Sequence, residues 1–158
     1  MEHRWDDNAP ENSDPLAQCV HAARLLGAQP ELGLPGVGSI SVKIPLADLA
    51  GEEQDTLFVS GRDQNLAAMQ AEDLTPLRRG PLTNLLRLEA LTPEQLDNEL
   101  LCQRTRANAM LASADALVHA GLPDRYVAIT QPDALLAIAS TPSTRVRWPC
   151  STDSRSSW

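Results

Sequence analysis

Apolar positions recur every three to four residues after Asp14-Pro15, at Leu16, Cys19, Val20 and Ala23, and stop at Gly27. That spacing predicts an amphipathic helix, with Asp14 as N-cap and proline at the favoured first position. Residues 32–38, Leu-Gly-Leu-Pro-Gly-Val-Gly, cannot continue a regular helix. The pattern then switches to strict alternation over Ser39-Ile40-Ser41-Val42-Lys43-Ile44, which predicts a half-buried strand. Asp55–Ser60 predicts a second strand, with the acidic segment between them as the turn.

Helical signals return further along. Gly80-Pro81 introduces a predicted helix over 81–90. Thr92-Pro93-Glu94-Gln95 is a capping box with proline at the first helical position, and Leu96 and Leu100 carry the apolar face beyond it. Ser113 is placed to cap a short helix that ends at Gly121. Arg125–Thr130 predicts a strand, and Pro132-Asp133 opens an apolar helix to about Ala139. The mixture predicts an α/β sandwich around a mostly antiparallel sheet.

The pattern divides the chain into a loosely held polar stretch at 1–13, one domain at 14–140 and an irregular tail at 141–158. The tail, TPSTRVRWPCSTDSRSSW, has no periodicity; it reads either as disordered or as sequence translated after a frame change. The 158 residues suit one domain. With 3% aromatics, its core must come from Leu, Ala, Val and Ile.

Charge and cysteines narrow the setting. Thirteen basic and 21 acidic residues give a formal charge of −8, which repels phosphate backbones and excludes nucleic acid as an expected partner. No apolar run approaches a membrane span, and the acidic N-terminus does not resemble a signal peptide. Cys19, Cys102 and Cys150 are far apart, odd in number and without CxxC spacing, so reduced thiols and a cytoplasmic location are expected. Cys19 falls on the apolar helical face and reads as core.

Three blocks carry a family resemblance. Arg24-Leu25-Leu26-Gly27 with Gly36-Val37-Gly38-Ser39-Ile40-Ser41-Val42-Lys43 is similar to a turn that elsewhere reads His-Gly-Gly-Gly-Asn-Thr-Ser-Val-Lys. Phe58–Ala67 is similar to Val-Lys-Gly-Ser-Gly-Trp-Asp-Leu-Ala, and Ser113–Pro123 to Ser-Val-Glu-Thr-Leu-Leu-His-Ala-Phe-Leu-Pro. Together they resemble the class II aldolase/adducin family, in particular the aldolase half of bifunctional rhamnulose-1-phosphate aldolase/short-chain dehydrogenase proteins. The resemblance implies a three-layer α/β/α sandwich, here C-terminally incomplete. A sheet cut short in this way would expose an edge and limit solubility.

Family members cleave a sugar phosphate by retro-aldol reaction, with a divalent metal, usually zinc, held by three histidines. The resemblance places two of those histidines at Ile129 and Gln131, neither a zinc ligand, and the third beyond Trp158. No metal site and no cofactor are therefore expected. The family's acid/base glutamate falls on Asp115, which reads equally as a solvated residue in a helix's first turn. Phosphate binding, where the family uses the glycine turn and a Ser-Gly pair, maps to Gly36, Gly38, Ser39, Ser41, Gly61 and Arg62. His119 reads as a packing residue, and His3 and His21 have no ligand spacing with it. The leading expectation is a non-catalytic or relict aldolase-like domain. The alternatives are a lyase dependent on zinc or another divalent metal and acting on a sugar phosphate such as rhamnulose 1-phosphate, and a homo-oligomerising interaction module of the adducin-head type.

Overall fold

A computed structural model describes residues 14–32 and 36–140. The expectations for 1–13 and 141–158 lie outside the described residues. The chain begins with α1 (Pro15–Gly27), where Asp14 caps through its carboxylate to the amide of Leu16 at 3.1 Å. A single 3₁₀ turn over Pro30–Leu32 precedes the hairpin of β1 (Ser39–Ala47) and β2 (Glu53–Ser60). Two further 3₁₀ turns, Leu66–Ala68 and Ala71–Asp73, lead into β3 (Leu74–Arg78). Then come α2 (Arg79–Leu85), α3 (Pro93–Cys102), α4 (Ala116–Gly121), β4 (Tyr126–Ile129) and α5 (Asp133–Ser140).

The four strands form one antiparallel sheet in the order β3-β2-β1-β4. Opposed residues of antiparallel strands share a face, so the register sorts the core. Ile40, Val42, Phe58 and Leu74 face α1 and pack with Cys19, Val20, Ala23, Leu66 and Met69. Leu57, Val59 and Leu77 face the other way and pack with Leu82 of α2, Leu100 of α3 and Ala116 and Ala120 of α4. Helices on both faces of an antiparallel sheet make the expected α/β/α sandwich. Cys19 is fully buried as expected, and burial pushes its thiol up to about 12.

Three local expectations need correction, and one strand was not expected. The strand from Ser39 is not half-buried: Ser39 through Lys43 are all buried, because α4 covers the polar side as α1 covers the apolar side. The helix placed at 81–90 runs instead from Arg79 to Leu85. Pro81 sits inside its first turn, where a missing N–H has no helical acceptor to lose. The helix attributed to a Ser113 cap starts at Ala116, with Asp115 in the cap position, while the Ser113 hydroxyl accepts from the Asp115 amide at 3.3 Å. Finally, β3 is an unanticipated strand. It contains Pro76, tolerated because β3 is the sheet's outer strand.

The capping box of α3 forms as predicted, Thr92 and Gln95 each bonding the other's backbone amide. The helix α5 buries no residue among those described, and Leu135, Leu136 and Ile138 are exposed. Among the described residues no helix is long and apolar enough to cross a membrane.

Candidate functional site

Ser39, Ser41 and Lys43 alternate along β1 and so line one face of the strand, the face covered by α4. From α4 comes His119, fully buried, one helical turn after Asp115. Its ring lies between the two serines: Nε2 is 2.8 Å from Ser39 Oγ and Nδ1 is 2.8 Å from Ser41 Oγ. Ser39 Oγ also donates to Asp115 Oδ2 at 3.0 Å, and Ser113 Oγ reaches the same oxygen at 3.4 Å. The strand thus meets the start of α4 through a chain of side-chain hydrogen bonds, buried at Ser41 and His119 and partly open at Asp115.

Burial pushes the His119 imidazole down to about 4; the Asp115 carboxylate opposes the shift and the Lys43 ammonium adds to it. At neutral pH the ring is uncharged. Lys43 itself donates to the backbone carbonyl of Asp124. Burial and the Arg79 charge hold it below the ordinary lysine range, against the pull of Asp124 and Asp55.

The glycine turn lies immediately before this cluster. Gly36 and Gly38 adopt φ of +82° and +98°, in the left-handed region. A Cβ on Gly38 would lie 2.8 Å from the carbonyl oxygen of Ile129. Glycine is therefore required both by the backbone angle and by the close approach of the end of β4.

The six positions assigned to phosphate do not form one cradle. Ser39 and Ser41 come together, but around His119. Gly36 and Gly38 shape the turn that leads into them. The Gly61 amide donates to the Asp73 carbonyl at 3.1 Å and that of Arg62 to the Leu111 carbonyl at 2.8 Å. The Arg62 guanidinium forms a two-pronged pair with Asp97 of α3, one contact being Nη1 to Oδ2 at 3.0 Å. That pairing raises the arginine and lowers the Asp97 carboxyl. A phosphate at Arg62 would have to compete with this partner.

Ile129 pairs directly with Ser39 across β1 and β4, so its side chain lies on the same sheet face as the cluster. Gln131 lies past the end of β4, exposed, its amide donating to the Leu32 carbonyl at 3.0 Å. Zinc, which the family resemblance implies, does not fit these side chains. Ile129 offers no donor atom, both nitrogens of His119 are bonded to serines, and among the described residues no three His, Cys, Asp or Glu side chains are grouped to hold a metal.

Sequence reasoning missed His119 as the hub of this cluster. The available signal was the coincidence of two periods, serine at every second residue of a strand and Asp115 with His119 at helical spacing. Nothing local announced that residues 78 and 80 positions apart would meet.

Comparison with known proteins places the fold. No family model matches the chain. It is 26% identical over 139 residues to the "Uncharacterized oxidoreductase YuxG" of Bacillus subtilis (strain 168), covering 87% of this chain and 20% of that protein. The structure is similar to the N-terminal class II aldolase domain of a conserved protein from Thermoplasma acidophilum, with a TM-score of 0.81 and 27% identity. That match covers 91% of this chain and 66% of the solved one. The chain therefore spans one fifth of the length of the curated relative, and just under two thirds of the solved domain. The fold is that of a class II aldolase domain.

Proposed function

We propose that this class II aldolase fold serves as a non-catalytic domain, one that does not carry out metal-dependent aldol cleavage with its own residues. The observation behind this reading is Ile129. It occupies the sheet face beside Ser39, where the family resemblance puts an imidazole, and supplies hydrocarbon to a position that needs a lone pair. Without a Lewis acid at the ketone, a carboxylate at Asp115 has no comparably low route to an enediolate.

The second reading is a metal-dependent lyase on a sugar phosphate such as rhamnulose 1-phosphate, with the missing ligands contributed by another chain. It is favoured by Asp115, which the family resemblance puts at the acid/base position and which is partly open and bonded to two serine hydroxyls. A coupled assay separates the two. With zinc or manganese added, the folded protein is expected to release no dihydroxyacetone phosphate from rhamnulose 1-phosphate above a protein-free blank. Metal-dependent release proportional to protein concentration would establish the lyase reading instead.

A further inference from the structure

The hydroxyl of Ser39 has one proton and stands within bonding distance of two acceptor-capable atoms, Asp115 Oδ2 at 3.0 Å and His119 Nε2 at 2.8 Å. A carboxylate has no proton to give, so the Ser39 proton goes to Asp115. Nε2 must then carry a hydrogen and donate to Ser39; otherwise two lone pairs would face each other at 2.8 Å. A neutral imidazole protonated at Nε2 has an unprotonated Nδ1, which accepts from the Ser41 hydroxyl at 2.8 Å. Each donor in the chain has one acceptor, and only one arrangement satisfies all of them.

We infer that Ser41, His119 and Ser39 form a one-way hydrogen-bond relay that positions the carboxylate of Asp115, with His119 locked as the Nε2–H tautomer. This role goes beyond the non-catalytic reading and does not depend on it. The direction of every bond follows from the carboxylate at the end. Both serine hydroxyls fall on Oδ2, and Oδ1 receives no hydrogen bond among the described residues. His119, itself buried, acts through Ser39 and is a positioning residue.

Long-range ¹H–¹⁵N correlation on the full chain carrying ¹⁵N-histidine reads the tautomer at pH 7. His119 is expected to show a protonated Nε2 and an unprotonated Nδ1. A proton on Nδ1, or nitrogens averaged between the two forms, would overturn the relay. Asp115→Ala frees the Ser39 hydroxyl to donate to Nε2, so both tautomers are expected to become populated. Should that variant not fold, Ser39→Ala removes the same link with little change in volume and carries the same expectation. A histidine that merely packs would keep its tautomer, so a pure Nε2–H form in either folded variant would show that the link from Asp115 through Ser39 does not set it.

Discussion

Gly27→Ala is expected to destabilise the fold by more than about 3 kcal/mol, among the larger effects a single methyl group can have. Gly27 is the last residue of α1, and its conformation alone would admit alanine. The obstacle is proximity. A Cβ there would stand 2.2 Å from the Ala67 nitrogen, 2.7 Å from the Leu66 carbonyl carbon and 2.8 Å from the Ala67 Cα, all backbone atoms that cannot rotate away. Relief requires moving the 3₁₀ turn off α1, which draws Leu66 and Met69 out of the core they share with Cys19, Ala23 and Val42. Gly80 in α2 is the control, because a Cβ there meets nothing within 4 Å. Gly80→Ala is expected to be neutral or to stabilise by up to about 1 kcal/mol through helix propensity. Urea denaturation of the two variants beside the parent reads both. A Gly27→Ala protein as stable as the parent would show that α1 and the turn are not in backbone contact.

Acidification is the second large effect. The folded protein holds the His119 imidazole at about 4, against an ordinary 6.5. The unfolded chain therefore binds the proton more readily, and stability falls as pH falls. The contribution of His119 is fully present above about pH 6.5 and is lost progressively as pH drops towards 4. The loss reaches about 2 kcal/mol at pH 5 and levels off near 3 kcal/mol below pH 4. Protonation also requires Nδ1 to donate to Ser41, which reverses the direction in which that hydroxyl is used. Denaturation midpoints between pH 7 and 5 are expected to fall steeply for the parent and to flatten for His119→Gln, which cannot take up the proton. Equal slopes for the two proteins would place the titrating group elsewhere.

Much of the architecture was legible because its signals are local. Asp14 with Pro15, and Thr92 with Gln95, satisfy helix amides within three residues of themselves, so the sequence window contains both partners. Alternation marked β1 for the same reason. What escaped was decided across the fold. No local signal marks a strand at 74–78, where Pro76 lacks an amide to pair, and the position of β3 at the sheet's rim, with the Pro76 carbonyl accepting from Thr105 at 3.0 Å, makes proline acceptable there. Ser39, Ser41 and Lys43 looked like a solvent face until α4 was laid over them. At the candidate site, the glycine turn and Asp115 were visible as residues, but not their assembly. Ser39 and Ser41, expected at a phosphate, instead bracket His119, and Arg62, expected beside them, faces Asp97.

The position of Ile129 on the cluster's sheet face remains the feature on which the non-catalytic reading turns. Its decisive measurement is the zinc content of the purified, folded protein after incubation with the metal and exhaustive dialysis. Clearly substoichiometric zinc is expected, since no set of described side chains supplies three ligands. One zinc retained per chain would contradict that reading and restore the metal-dependent lyase.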